Sequence, residues 1–335
     1  MKIVLDVFGA DNSPHEIVKG AVLALEAKPN FSLILTGDEA AIRAELAKYK
    51  FDAARIEIVH APDVITNNDI PTEAIQAKKE SSMVKAFSIA KERADVVGTV
   101  TAGSTGAALA GAIMKLGRIT GVRRPALAPL LPTEQGGNVC LIDCGANVDC
   151  QPEFLTQFAL MGTAYMRTLG IENPRVALVS NGVEDKKGNE LVQKTFPLLK
   201  ELPINFVGNM EAREALSGKY DVLVCDGFVG NVLLKTSEGT ANSLMRIMKR
   251  TLTSTLRGKI GGALVRKPLK KMMRSLGDEE RGGSAFLGCS KLVVKAHGGS
   301  EALTIRAALL QVVKMAAVDL TGQINQQMAR LRNEV

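Results

Sequence analysis

Five glycine-punctuated segments carry the side chains best suited to chemistry on an anion or a carbonyl group. AGSTGA at 102–107 supplies Gly103, Ser104, Thr105 and Gly106, either as a plain tight turn or as backbone and hydroxyl donors that cradle an anion. DCGAN at 143–147 ends in Asn147. EDKKGNE at 184–190 sets Lys187 where a helix opens, either as part of a solvated helix start or as the cation partner of a phosphate that the helix dipole favours. DGFVGN at 226–231 is either a turn and cap or a device that aims the Asn231 amide at a carbonyl oxygen turning negative during reaction. HGGS at 297–300 offers His297, Gly298 and Ser300; the histidine is either a satisfied interior group or an anion donor on a loop whose glycines let backbone approach closely. Asp6 and Asp11 flank a short turn and read as loop caps.

Other chemistries lack their residues. AGSTGA is neither GxGxxG nor a P-loop with its lysine, which argues against an ATPase, and no dinucleotide fingerprint follows the first apolar run. Three scattered histidines (His15, His60, His297) and five cysteines without a CxxC pair offer no zinc spacing, so no metal and no cofactor is expected. The odd cysteine count in a long chain fits reduced thiols in the cytoplasm. Cys144 and Cys225 have no adjacent histidine and are read as bystanders, not acyl-carrying nucleophiles.

These segments must be held by something, and the pattern around them says what. Short β-branched apolar runs at 2–7, 32–36, 56–60, 95–101, 138–143, 175–179, 204–207, 221–225 and 292–296 alternate with helix-like stretches at 14–27, 39–48, 72–91, 152–169, 188–199 and 300–328. Continuous apolar strands separated by helices imply a Rossmann-like, mostly parallel sheet between helices, in one large α/β domain over 1–335. Ligands of such sheets sit beyond the carboxyl ends of the strands. Six glycine-bearing strand ends, at 8–11, 36–38, 102–106, 143–147, 225–227 and 297–300, are therefore expected on one rim.

Of the 335 residues, only 13 are aromatic, which argues against a nucleic-acid module built on base stacking. The N-terminal apolar run is only three residues long, so no secretory signal is expected, and the longest uncharged stretch is too rich in glycine and threonine for a membrane helix. The net charge of +7 is concentrated: ten basic residues and no acidic ones lie between Gly239 and Gly277, leaving the remainder at −3. Within 241–277 the apolar residues Leu244, Ile247, Met248 and Leu252, then Leu269 and Met272, recur at helical spacing among Lys270, Lys271 and other cations, with a break at 258–262. Two readings stay open for this projecting basic helical hairpin: a packed pair with a solvated basic side, or a contact with an anionic membrane surface.

Taken together and in order, DVFGADNSP (6–14), KKESSM (78–83), AGSTGA, LPT (131–133), DCGANVDCQPE (143–153), MGTAY (161–165), KGNE (187–190), DGFVGN, GGSAFLG (282–288) and KAHGGS (295–300) resemble the bacterial phosphate acyltransferases of phospholipid synthesis, the PlsX family. The resemblance spans residue 1 to about 320 and departs at Phe8, Ala10, Ser104 and the segment 180–184. It implies a fold like isocitrate dehydrogenase and phosphotransacetylase, and a homodimer. It also implies transfer of a long-chain acyl group from acyl carrier protein to inorganic phosphate. Lys187 and Asn231 stand where that family has its proposed catalytic pair. The product, acyl phosphate, would pass to a membrane glycerol-3-phosphate acyltransferase, which suits a cytoplasmic enzyme held peripherally at the inner face of the membrane. A phosphotransacylase using acyl-CoA and a non-catalytic lipid- or carrier-binding module are the competing readings.

Overall fold

The computed structural model describes residues 1–276 and 281–333, with side chains for 1–269 and 281–331. All nine apolar runs form strands, but in two sheets. In the first, β1 (Lys2–Asp6), β2 (Ser32–Gly37), β3 (Ile56–His60), β4 (Val96–Thr101) and β12 (Leu292–Lys295) run parallel, and β5 (Ala126–Ala128) and β11 (Ser284–Leu287) add an antiparallel edge, giving the order β3-β2-β1-β4-β12-β11-β5. In the second, β6 (Leu130–Pro132) pairs antiparallel with β7 (Asn138–Ile142), followed by parallel β8 (Arg175–Ser180), β9 (Asn205–Glu211) and β10 (Val222–Val224), in the order β6-β7-β10-β8-β9. Helical crossovers cover both faces of the parallel strands, so Ile3, Val4 and Leu5 are all fully buried and the strand reads as unbroken apolar sequence.

One helix ties the sheets together. In α6 (Pro152–Thr168) every residue from 155 to 166 is buried, so the helix is enclosed on all sides. Its Tyr165 hydroxyl accepts from Gln311 Nε2 at 2.6 Å, on α10 (Ala302–Ala317), which packs against β12 and β4 of the first sheet. A single apolar cluster accordingly holds Leu5 and Val100 of one sheet with Ile142 and Val224 of the other. Replacing Gln311 by leucine would strand a buried hydroxyl, a cost of about 1–3 kcal/mol.

Two expected helices are each two. The 72–91 stretch divides into α3 (Pro71–Ala77) and α4 (Ser82–Glu92); Lys78 turns back to Asp69 and the Val64 carbonyl, and the Ser81 hydroxyl caps the new helix at Val84 N. The 300–328 stretch divides at Asp319 (φ 49°) into α10 and α11 (Leu320–Asn333). The basic hairpin also differs from expectation. Its first helix, α8 (Gly227–Thr253), begins at the DGFVGN motif itself, and its second, α9 (Leu256–Leu276), runs straight through Gly258, Gly261, Gly262 and Pro268; the break falls at 254–255. No helix of the described residues is long and apolar enough to cross a membrane.

Candidate active site

The expected single rim is divided because the strands are. The loops after β7, β8 and β10 leave three adjacent parallel strands of the second sheet, whereas those after β1, β2, β4 and β12 leave the first. On the second sheet the organising residue is Asp143, fully buried at the end of β7. Its Oδ1 accepts from the N–H groups of Leu127, Cys144 and Ala146 at 2.8, 2.7 and 3.3 Å, and its Oδ2 from Asn147 N and Nδ2 at 2.6 and 3.0 Å. Burial raises this carboxyl above the ordinary carboxylate value, and the five donors pull against that. The loop it gathers is a platform for α8. A side chain added at Gly227 would meet Asp143 Oδ2 at 2.8 Å, and one at Gly230 would meet the Asp143 carbonyl, so only glycine at these two positions, one face of a helical turn, lets the helix seat. Asp226 caps the same turn by accepting from Val229 N at 2.9 Å.

Seating α8 this way brings Asn231 to the loop: its Cγ lies 3.8 Å from where a Cβ of Gly145 would be. Four asparagines sit on these three loops. Asn147 spends both amide hydrogens, on Asp143 and the Pro125 carbonyl; Asn181 accepts from Gly188 N; Asn189 caps α7 (Glu190–Glu201) at Val192 N. Of these four, only Asn231 has a side chain with no hydrogen bond among the described residues. Asn147, expected to meet substrate, keeps only its amide oxygen for that purpose. Lys187 is exposed, two residues ahead of the α7 cap, with its stem along Gly182 and no ion-pair partner among the described residues.

The first sheet carries a different constellation. Asp6, buried at the end of β1, accepts from Thr101 Oγ1 at 2.7 Å and from Phe8 N, and Gly103 N donates onward to Thr101 Oγ1, so the Gly103 N–H is already committed. Ser104 caps α5 (Thr105–Gly111) without a side-chain bond, and Thr105 and Gly106 open that helix at the surface. Lys295, only 7 % exposed, donates to the carbonyls of Ala102 and Ala296 and so ties the roots of the 102–106 and 297–300 loops together. Burial pushes Asp6 up to about 6 and Lys295 down to about 8, each charge partly sustaining the other. His297 Nδ1 accepts from Gly299 N, which leaves the proton of a neutral ring on Nε2, and Ser300, 5 % exposed, has a hydroxyl with no partner among the described residues. The Asp11 carboxylate lies against Gly298 and Gly299, so an anion on that loop meets a like charge. No described hydrogen bond joins Lys187 or Asn231 to the 102–106 or 297–300 loops.

Lys295 escaped the sequence reading because a lysine ending an apolar strand looks like a solvated edge. The cysteines near the loops are poor nucleophiles: burial pushes Cys144 up to about 12 and Cys225 well above its usual value. On the hairpin, Leu244 and Ile247 face solvent, whereas Met248, Leu252 and Leu269 line a cavity of about 660 Å³ between α8 and α9. Outward apolar residues of α9 include Leu256, Ile260 and Leu264, at 77, 58 and 78 % exposure and at four-residue spacing. The side chains of Lys270, Lys271 and Met272 lie outside the described residues.

Comparison with known proteins agrees with this architecture. The fold is similar to that of a phosphotransacetylase from Streptococcus pyogenes (TM-score 0.62, 16% identity, covering 95% of this chain and 94% of that one) and of a branched-chain phosphotransacylase from Enterococcus faecalis (TM-score 0.55, 15% identity, 94% and 99%). The sequence is 45% identical to the phosphate acyltransferase of Clostridium acetobutylicum over 99% of this chain and 100% of that protein, and 44% identical to that of Geobacillus thermodenitrificans over 98% and 99%. A family model described as fatty acid synthesis protein matches residues 1–322. With full-length relatives of this identity, the chain belongs to the phosphate acyltransferase (fatty acid synthesis protein) family and is a transferase.

Proposed function

We propose that this enzyme moves a long-chain acyl group from acyl carrier protein to inorganic phosphate, giving acyl phosphate for phosphatidic acid synthesis. The observation that carries the reading is the pair of unengaged side chains, Lys187 and Asn231, on loops from adjacent parallel strands. Lys187 holds phosphate, away from the Asp11 carboxylate that opposes an anion at 298–299. A phosphate oxygen attacks the thioester carbonyl, Asn231 donates to the oxyanion that develops, and the C–S bond breaks to release the carrier thiol. A thioester is already electrophilic, so positioning and charge neutralisation suffice without an enzyme nucleophile, in keeping with the buried thiols. Ser104, Thr105 and Gly106 are supplementary donors, whereas His297, Gly298 and Ser300 share their loop with the Asp11 carboxylate and are given no part in holding phosphate.

The same reading places a homodimer of this enzyme at the anionic inner face of the membrane, delivering an apolar, labile product to a membrane glycerol-3-phosphate acyltransferase. In its support, a basic residue near such a surface contributes roughly 1 kcal/mol, and Leu256, Ile260 and Leu264 present apolar side chains outward beside those cations. The test of the activity is direct. Purified protein with palmitoyl carrier protein and phosphate should give product trapped by hydroxylamine as the hydroxamate, dependent on phosphate. A preference for palmitoyl-CoA reassigns the donor, and no hydroxamate from either donor ends the acyl-transfer reading.

A further inference from the structure

Between the start of α6 and the segment that leads into β5 of the first sheet lies a cavity of about 520 Å³ walled by Arg118, Arg123 and Arg124, with Ile113, Glu153 and Phe154. None of the three arginines has an ion-pair partner among the described residues, and Glu153 is the single acid on the wall, so the cavity is strongly cationic. It is also built. Gln157, buried on α6, accepts from Arg123 N at 2.8 Å and donates to the Gly121 carbonyl at 3.0 Å; Ile119 N is held by the Gly288 carbonyl at 2.9 Å; and the Arg118 guanidinium donates to the Arg123 carbonyl. Arg124 lies 6.0 Å over the Phe154 ring, in the first turn of α6. A segment that holds Arg123 and Arg124 on a backbone fixed on both sides, with Arg118 bracing it, is preorganised for the oxygens of a phosphate group.

Its position says which one. The residue after Arg124, Pro125, offers its carbonyl to Asn147 Nδ2 at 2.8 Å, and Leu127 N donates to Asp143, so the arginine segment is hydrogen-bonded to the loop on which Asn231 is seated. The cavity is too small for a protein domain and of the size of small-ligand sites.

We propose that this cavity binds the phosphate of the phosphopantetheine arm that carries the acyl thioester, an inference that rests on the acyl-transfer reading of the neighbouring loops. The donor is then gripped at one end by the arginines while its other end lies at Asn231, and the reacting inorganic phosphate keeps a separate cation, Lys187. The same phosphate occurs where the arm joins a carrier-protein serine and where it joins the nucleotide of coenzyme A.

The experiment measures binding of 4′-phosphopantetheine and of pantetheine by calorimetry, to the parent and to Arg123→Ala and Arg124→Ala, whose exposed side chains are not used to hold the backbone. The parent should bind the phosphorylated form at least about tenfold more tightly, as expected for charge-assisted contacts, and each variant should lose most of that preference. Equal binding of both probes by the parent overturns the proposal even if no variant folds, as does a preference that survives in the variants. In turnover, the KM for acyl donor should rise in the variants and that for phosphate should not. A rise with palmitoyl carrier protein alone assigns the carrier arm, and a rise with palmitoyl-CoA too assigns the arm common to both. If neither KM rises, the proposal fails while the acyl-transfer reading stands. If the binding preference holds but the parent forms no acyl phosphate, only that reading fails.

Discussion

Asn231 and Lys187 touch so little that their removal separates chemistry from folding. Replacing Asn231 by alanine should lower kcat by about 10²- to 10³-fold, as for a lost oxyanion donor, and Lys187→Ala should remove most turnover. Both should leave the melting temperature unchanged, and steady-state kinetics beside a thermal melt checks each. A near-parental rate in either variant takes that residue out of the mechanism. Asp6 and Lys295 are the opposite case, buried charges whose titration is felt by the fold. Because burial lifts Asp6 from its ordinary value to about 6, the native state holds that proton more tightly, and stability falls as pH rises from about 4 to 6. Lys295 is depressed to about 8, so its contribution to stability is recovered as pH rises from about 8 toward its unfolded value. Melting temperature against pH should therefore show a shallow minimum between 6 and 8 from this pair, and Asp6→Asn should flatten its acid side; an unchanged acid slope would mean that another group sets it. The sequence made Lys187 and Asn231 visible through glycine-marked loops. It hid Lys295 and showed Asp6 only as a loop cap, because burial of a charge depends on what packs over it and leaves no periodic mark.

At the level of elements, the nine parallel-type runs were legible because strands buried on both faces need unbroken apolar sequence. The short strands β5, β6 and β11 were not, since three or four residues in antiparallel pairs carry too little pattern. Their absence from the sequence reading is why one rim was expected where there are two. Likewise Lys78 and Asp319 end helices through tertiary and backbone geometry while the apolar spacing continues across them. The seat of α8 on the Asp143 loop makes a sharper test than any strand. Gly230→Ala puts a methyl group into the Asp143 carbonyl, so the helix must lift. Overpacking of this kind costs about 1–3 kcal/mol, and kcat should fall as steeply as in Asn231→Ala although Asn231 is intact. A variant that loses stability with full kcat would show that the seat does not position Asn231.

For the whole molecule, the net positive charge is concentrated on the hairpin, where exposed apolar residues accompany it, and the prediction belongs to that asymmetry. Leu264→Glu should weaken sedimentation with anionic vesicles and leave turnover on soluble donor unchanged, because Leu264 is 78 % exposed and remote from the loops. Leu252→Glu is the less informative change, since it strikes the cavity between the two helices. If Leu264→Glu sediments as the parent does, the outward stripe serves packing between proteins. One further property follows from α8 being a single 27-residue helix that starts under Asn231 and ends in the hairpin. At 1.5 Å per residue it is a rod of about 40 Å. Its root is clamped through Gly227 and Gly230, while beyond Leu233 its length is largely free of the body. A rod fixed at the root amplifies motion at the tip and hardly moves at the root: a tilt of about 10° displaces the far end by roughly 7 Å over that length. Whatever surface the tip engages can therefore undulate while the reacting groups keep their mutual spacing, at a standoff of about one helix length.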